Sequence, residues 1–221
     1  MSGKTAIVIG ATGLVGGLVL QALLASKEYS RVLAVVRRAV LPPHPKLVVI
    51  ETPFEKLDSV LSDVGADDAF CCLGTTIRQA GTKAEFHKVD YGYAYAFAHR
   101  LKQRGTGHFL LVSAVGAGAG SPVFYNRVKG RLEEDVAALG FERLSVFRPS
   151  LLLGDRGEHR LGEAISARLS PLLSPFLIGP LSKIHPIPAT TVAKAMVAAA
   201  DRKEAGKLVF YFHDMQALAA C

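Results

Sequence analysis

Three side chains that could move a proton lie close together in the sequence: Ser113, Tyr125 and Lys129. Tyr125 and Lys129 are four residues apart in SPVFYNRVKG, so on a helix they share one face, a turn apart. Ser113 ends the apolar run HFLLVS, and ligands of parallel α/β proteins bind where such strands end. We expect the two hydroxyls to bind a carbonyl oxygen, with Tyr125 as the proton donor.

The charge of Lys129 is nearly sufficient to make Tyr125 an acid near neutral pH. A free phenol has a pKa of about 10, so lowering it to about 7 costs roughly 4 kcal/mol. An ammonium about 4.5 Å away supplies roughly 3–4 kcal/mol at an effective dielectric of about 20. A tyrosine and a lysine at this spacing are also common on helix surfaces. The pair is a catalytic candidate because Ser113, a glycine loop and two arginines accompany it.

The glycine loop follows the first apolar run, TAIVI, and precedes a helical pattern. It reads Gly10-Ala11-Thr12-Gly13-Leu14-Val15-Gly16, a GxxGxxG spacing in place of GxGxxG. Glycine permits the tight turn and lets the backbone approach a pyrophosphate, while the helix presents free N–H groups and its positive end. This context favours dinucleotide binding over a purely structural turn. No GKS or GKT follows, which disfavours a nucleoside-triphosphate loop.

Two arginines stand where an NAD-preferring fold carries an acid, about 20 residues beyond the glycines. They are Arg37 and Arg38, in VLAVVRRAV. Guanidinium groups bind a 2′-phosphate through forked, charged hydrogen bonds. We therefore predict NADP(H) as the cofactor; the alternative is two solvated arginines at a strand end.

Short apolar runs alternate with helical patterns and would position these residues. The runs lie at 5–9, 31–36, 46–51, 67–74, 108–113, 143–148 and 207–212; the helical patterns lie at 14–25, 83–104, 123–139 and 189–201. This alternation predicts an α/β fold, a Rossmann-like doubly wound parallel sheet with helices on both faces. We predict one domain, 1–221, in which about 150–221 form a small C-terminal region, or cap, on the substrate side.

Composition narrows the class of protein. Half of the 221 residues are apolar and a fifth are charged, which allows a full core. The net charge of +7 comes from scattered basic residues and favours an anionic ligand over nucleic acid. We expect no membrane-spanning segment and no signal peptide. Of the three cysteines two are adjacent, and this usage predicts a cytoplasmic protein.

Other candidate sites carry less chemistry. The seven histidines show no metal-ligand spacing, so we predict no metal. Cys72 lies in an apolar run without a charged partner and is expected to be inert. Ser113 lacks a GxSxG context, which disfavours a hydrolase. We expect the proline-rich segment 169–188 to be a packed cap; a lid over an apolar substrate is the second interpretation, and a subunit contact and a membrane-surface patch are further alternatives.

The motifs GATGLVG, Arg37, Ser113 and YNRVK resemble those of the short-chain dehydrogenase/reductase superfamily. CLGTT, KVDYGYA, YNRVKGRLEE and SVFRPSLLLGDR resemble its atypical branch around the Tat-interacting protein family and that family's bacterial relatives, over nearly the whole chain. The resemblance implies roles for specific positions. The pyrophosphate would contact Gly10, Thr12, Gly13, Leu14 and Val15, and the 2′-phosphate would contact Arg37 and Arg38. The ribose on the adenine side would contact Cys72, Leu73 and Gly74. The nicotinamide amide would contact Pro149 and Leu152. Ser113, Tyr125 and Lys129 would be catalytic, and Lys129 would also bind the cofactor ribose.

The chain departs from this pattern at two places. Conventional members add a catalytic asparagine on the long helix before the serine strand, where the nearest counterpart is Asp90. Relatives often carry two serines where this chain has Ser113 and Ala114. We expect an NADP(H)-dependent reductase of a carbonyl-type small molecule, itself partly apolar. An NADPH-binding sensor with little turnover, or an epimerase or dehydratase that uses Tyr125 as a base, remains an alternative. The sequence leaves the oligomeric state open, including a homo-oligomer.

Overall fold

A parallel sheet forms the centre of the structure, a computed structural model that describes residues 3–38, 40–154 and 185–220. In these ranges seven strands join in the order β3-β2-β1-β4-β5-β6-β9, and every pair is parallel. They are β1 (Lys4–Ile9), β2 (Tyr29–Val36), β3 (Leu47–Glu51), β4 (Asp68–Cys71), β5 (His108–Val112), β6 (Arg143–Phe147) and β9 (Gly206–Phe210). The chain changes direction across the sheet between β1 and β4, which opens a crevice at their carboxyl ends. The predicted Rossmann-like α/β fold is confirmed.

Helices connect the strands and cover both faces. They are α1 (Leu14–Ala25), α2 (Leu57–Val60), α3 (Ile77–Ala80), α4 (Lys83–His87), α5 (Ala94–Gln103), α6 (Phe124–Ala138), α7 (Ala189–Ala199) and α8 (Phe212–Ala219). A 3₁₀ turn, Phe54–Lys56, precedes α2, and a π-helical turn, Lys88–Tyr93, joins α4 to α5. Two short strands, β7 (Leu152–Leu153) and β8 (Ile187–Pro188), pair with each other. None of the helices in the described ranges is long and apolar enough to cross a membrane.

The core lies in two layers, one on each face of the sheet. In β1, Ala6 and Val8 pack with α1, α7 and α8, whereas Ile7 and Ile9 pack on the opposite face with α5 and α6. Successive side chains of a strand point to opposite faces, so a strand that is covered on both sides is apolar throughout. The continuous apolar runs in the sequence follow from this burial.

The structure refines the bounds of several predicted elements. The predicted helix 83–104 contains the π-helical turn, and the last strand ends at Phe210 because α8 begins two residues later. There the Asp214 carboxylate accepts a hydrogen bond from the Tyr211 backbone at 2.8 Å, which caps α8. β9 extends the main sheet beside β6, so this part of the C-terminal third belongs to the sheet itself. Most of the proline-rich segment, residues 169–184, lies outside the described residues.

The loop that follows β5 packs directly on α6, at Gly130. A Cβ added at Gly130 would lie 2.2 Å from the carbonyl carbon of Gly118 and 2.4 Å from the nitrogen of Ala119. The Gly118 nitrogen also donates to the Asn126 carbonyl at 3.1 Å. Only glycine fits at this crossing, and the crossing fixes the loop between Ser113 and Tyr125 against the helix.

We predict that Gly130→Ala destabilises the protein by about 2 kcal/mol, because overpacking against fixed backbone forces the loop away from the helix. Urea denaturation measures the change. Gly120→Ala is the matched control, since a Cβ there meets no atom within 4 Å. Equal stability of the two variants would contradict the close packing.

Asp68 links several strands at their amino-terminal ends, on the opposite side of the sheet from the crevice. Its buried carboxylate accepts a hydrogen bond from the Tyr29 hydroxyl at 2.8 Å. Three cationic or titratable groups lie around it: His108 Nδ1 at 3.4 Å, Arg143 Nη2 at 3.6 Å and Lys4 Nζ at 3.6 Å. Burial acts to raise the pKa of Asp68, but contacts with His108 and Tyr29 and the charge of Lys4 lower it overall, below 3.8. A buried charge of this kind is tolerated only with such partners.

We predict that Asp68→Asn lowers the free energy of unfolding by about 3 kcal/mol near neutral pH, since it removes the buried counter-charge of Arg143 and one of the two carboxylates beside Lys4. A carboxyl whose pKa is depressed by folding stabilises the protein above its unfolded pKa, and this stability is lost as the pH falls through the folded pKa. The difference between the variant and the unchanged protein should therefore shrink below pH 3.8. Denaturation at several pH values tests this, with the exposed Asp63→Asn as control. A difference that grows toward acid pH would overturn the assignment.

Candidate active site

A cavity of about 880 Å³ opens at the carboxyl ends of β1, β4 and β5. Its lining comes from the glycine loop and α1, the segments after β4 and β5, helix α6, β7 and the start of α7. Most of the site residues predicted from sequence face it: Thr12, Gly13, Leu14, Val15, Cys72, Leu73, Gly74, Ser113, Tyr125, Lys129 and Leu152. The fold therefore gathers these predicted residues from five separate stretches of sequence around one space.

The glycine loop is shaped by contacts that exclude a side chain. Gly10 has a φ of +83°, and a Cβ there would lie 2.7 Å from the Cys72 carbonyl group. A Cβ at Gly16 would lie 2.1 Å from the Gly10 oxygen. Gly13 begins α1 without a side-chain cap, and the first turn carries no acid. The N–H groups of that turn are therefore available to an anion, as a pyrophosphate requires.

Lys129 forms a buried ion pair with Asp90. Its Nζ lies 2.7 Å from Asp90 Oδ1, and the two side chains are 3% and 0% exposed. Asp90 Oδ2 accepts the Thr75 backbone N–H at 2.8 Å. Burial lowers the pKa of Lys129, but the Asp90 carboxylate and the Tyr125 side chain raise it, and the net value lies above 10.5. Lys129 is thus held as an ammonium at the cavity wall.

Asp90 reaches this position from the π-helical turn. The turn widens the helix locally, and such turns recur at functional sites. Tyr91, the next residue, donates a hydrogen bond to Asp135 of α6 at 2.7 Å, which ties the turn to the helix that carries Lys129. Gly74 covers the ion pair, since a Cβ there would lie 3.8 Å from both Asp90 Oδ1 and Lys129 Nζ. The segment after β4, the π-helical turn and α6 converge on one charge pair.

Tyr125 lies one helical turn before Lys129 on α6 and is half-buried at the cavity. Its ring packs against the fully buried Phe86 of α4, with centroids 5.4 Å apart. Within the described residues its hydroxyl makes no hydrogen bond to another side chain. An aromatic contact thus fixes the ring, while the hydroxyl remains available to a ligand.

Ser113 is engaged by a partner that the sequence reasoning did not identify. Its hydroxyl donates to Glu133 Oε1 at 2.5 Å. Glu133 is 1% exposed and forms a two-pronged ion pair with Arg148, whose Nε lies 3.0 Å from Oε1 and whose Nη2 lies 2.6 Å from Oε2. Lys207 Nζ lies 3.8 Å from Oε2, and the hydrogen bond to Glu133 raises the pKa of Arg148. The serine therefore belongs to a second buried charge network.

Four predicted residues lie beside the cavity and not on its wall. Gly10 is the first residue of the glycine loop, and Pro149 is buried in the loop after β6, where its carbonyl accepts the Val115 N–H at 2.9 Å. Arg37 and Arg38 are exposed just beyond β2, next to the end of β1. The Arg37 guanidinium lies 5.7 Å from the centre of the Phe54 ring. Both arginines thus follow the carboxyl end of β2, the strand next to β1, and are open to solvent.

Cys72 is half-buried on the cavity wall, and Cys71 is buried in β4. Burial raises the pKa of both thiols, that of Cys71 to about 11, so neither is a ready nucleophile. In the ranges that the structure describes, no three His, Cys, Asp or Glu side chains are grouped to hold a metal ion. The chemistry of the cavity therefore rests on its hydroxyls and its buried charges.

One sequence signal could have revealed Glu133. Tyr125, Lys129 and Glu133 are spaced four residues apart, so all three lie on the inward face of α6. A charged residue on a buried helix face requires a partner. Arg148 supplies it, but this residue is remote in sequence and only the fold shows the pairing.

Comparison with known proteins agrees with this geometry. A sequence model of a family described as NAD(P)H-binding matches residues 10–139. Protein HTATIP2 of Rattus norvegicus is 36% identical over 202 residues, covering 89% of this chain and 81% of that protein. The mitochondrial protein FMP52 of Candida albicans is 33% identical over 207 residues, covering 91% of this chain and 90% of that protein.

Solved structures show the same fold at lower identity. A UDP-glucose 4-epimerase of Thermotoga maritima, solved with UDP-glucose, superposes with a TM-score of 0.70 at 16% identity, over 94% of this chain and 76% of that one. That likeness concerns the fold alone, whereas the family match spans the glycine loop, Ser113, Tyr125 and Lys129. The chain belongs to the NAD(P)H-binding, atypical short-chain dehydrogenase/reductase family.

Proposed function

We propose that this protein is an NADP(H)-dependent oxidoreductase that reduces a carbonyl-type small molecule, with Tyr125 as the proton donor. The observation that carries the proposal is the shared cavity. Tyr125 and the buried Lys129–Asp90 pair face the same space as the cap-free start of α1. A proton donor and a dinucleotide cradle in one cavity are what carbonyl reduction requires.

The chain's own residues account for binding of the dinucleotide. The start of α1 and the glycine loop would hold the pyrophosphate through backbone N–H groups. Arg37 and Arg38 would bind the 2′-phosphate that distinguishes NADP(H) from NAD(H). Cys72, Leu73 and Gly74 would contact the ribose on the adenine side, and Lys129 would bind the other ribose. When bound, the cofactor supplies the hydride.

Proton transfer follows from the arrangement on α6. Tyr125 delivers its hydroxyl proton to the substrate oxygen as that oxygen gains negative charge. Lys129, held charged by Asp90, offsets the negative charge that Tyr125 acquires. Phe86 keeps the tyrosine ring from turning away. Leu14, Leu18 and Leu152 give the rest of the wall an apolar character, which suits a partly apolar substrate.

Tyr125→Phe should lower the rate of carbonyl reduction about 100-fold or more, since it removes a general acid, and should leave NADPH binding unchanged. Loss of NADPH absorbance with a panel of aldehydes and ketones measures the rate, and cofactor fluorescence measures binding. Tyr95→Phe, on α5, is the matched control. A Tyr125→Phe rate equal to that of the control would refute the proton-donor role.

Arg37→Ala should weaken NADPH binding about tenfold or more and change NADH binding less than about threefold, because only NADPH carries the charged group that the guanidinium would bind. Fluorescence titration with each cofactor gives both affinities. Arg31→Ala is the control, since Arg31 is exposed near the amino-terminal end of β2, whereas Arg37 follows its carboxyl end. Equal affinity of the unchanged protein for NADH and NADPH would contradict the preference.

A second candidate is a protein that binds NADPH as a sensor with little turnover. The observation that favours it is the hydrogen bond from Ser113 to Glu133, which withdraws one expected donor from the substrate. Tight NADPH binding, no consumption across the carbonyl panel and no effect of Tyr125→Phe would together select this candidate. A cytoplasmic location stays a prediction from composition, and the fungal relatives are named as mitochondrial.

A further inference from the structure

The Ser113 hydroxyl has one proton, and the structure directs that proton away from the cavity. A serine hydroxyl carries a single donor and two acceptor lone pairs. Glu133 faces Arg148 through both oxygens, at 3.0 and 2.6 Å, and a carboxyl in such a pair is a carboxylate that can only accept. The hydrogen bond between Ser113 and Glu133 must therefore be donated by the serine.

The network leaves little freedom to reverse this bond. Ser113 is 4% exposed and Glu133 is 1% exposed, so water cannot readily replace either partner. Arg148 is itself anchored, since its Nη1 donates to the Tyr211 hydroxyl at 2.8 Å. Lys207 adds a second positive charge 3.8 Å from Glu133. Two cations and one buried carboxylate thus commit the serine proton to Glu133.

We propose that Glu133 is a positioning residue that makes Ser113 a hydrogen-bond acceptor toward the cavity, so that the ligand group opposite Ser113 is a hydroxyl and not a bare carbonyl oxygen. This inference rests on the proposed function, because it concerns the substrate of the same cavity. The hydroxyl has two sources, which share one chemistry. It is the alcohol formed by reduction, or a second hydroxyl beside the reacting carbonyl.

Three ring compounds of nearly equal shape separate these cases: cyclohexanol, cyclohexanone and 2-hydroxycyclohexanone. Their binding is measured by saturation-transfer NMR titration on NADPH-saturated Tyr125→Phe protein, in which the proton donor is missing and reduction of the ketones is slowed. We expect cyclohexanol to bind about three- to tenfold more tightly than cyclohexanone, the range of one hydrogen bond. Binding of 2-hydroxycyclohexanone more tightly than both would assign the hydroxyl to a position beside the carbonyl.

Variants of the network supply the controls, each in the Tyr125→Phe background. In Glu133→Gln, Arg148 retains the amide oxygen, the amide nitrogen faces Ser113, and the serine proton turns to the cavity. The preference for the alcohol should then vanish or reverse. Glu134→Gln, an exposed neighbour on α6, should keep the preference. If Glu133→Gln fails to fold, Ser113→Ala, which leaves the Glu133–Arg148 pair intact, should bring the alcohol-to-ketone ratio to about one.

Three outcomes would overturn the inference. They are a ketone that binds as tightly as the alcohol when Glu133 is intact, a preference unaffected by Ser113→Ala, and no binding by any of the three compounds. None of these bears on whether NADPH binds or whether Tyr125 donates a proton. Failure of this inference is therefore distinguishable from failure of the proposed function.

Discussion

The Lys129–Asp90 ion pair is the interaction on which the candidate active site depends. An isolated ammonium at 3% exposure would lose its charge or unfold its surroundings, because burial in a low-dielectric interior disfavours the charged form. The Asp90 carboxylate, 2.7 Å from Lys129 Nζ, offsets that penalty. The Thr75 backbone N–H donates a hydrogen bond to the second oxygen of the carboxylate. The pair draws together the π-helical turn, the segment after β4 and α6, and those three pieces form much of the cavity wall.

Helix α6 carries two such buried charges, each matched by a different part of the fold. Lys129 pairs with Asp90 from the π-helical turn, and Glu133 pairs with Arg148, just beyond β6. Tyr125 precedes both on the same face. Removal of either partner would leave a buried charge uncompensated, which costs far more than the loss of a surface ion pair. A rotation or shift of the helix would therefore expose a charge or separate it from its partner. This constraint fixes the position of Tyr125 relative to Ser113.

Sequence reasoning succeeds where one local rule dominates. The strands of the sheet are covered on both faces, so their apolar runs identify them, and their alternation with helical patterns leads to the α/β fold. The glycine loop is also predictable from a local rule. Gly10 adopts a φ of +83°, and a Cβ at Gly16 would lie 2.1 Å from the Gly10 oxygen, so both positions require glycine. The π-helical turn at Lys88–Tyr93 was not predicted, because its widened geometry is fixed by the Asp90 and Tyr91 contacts with other elements and not by its own residues.

The sequence by itself determined the fold class, the nucleotide-binding loop and the alignment of Tyr125 with Lys129, because each follows from spacing within a single element. Only the tertiary structure decided what those side chains face. It paired Lys129 with Asp90 and turned Ser113 toward Glu133, although the sequence reading had both hydroxyls donating to a substrate. The physical reason is that burial penalises a charge or a hydroxyl without a partner, and for Lys129 and Ser113 the partners come from elements that only the folded sheet brings together.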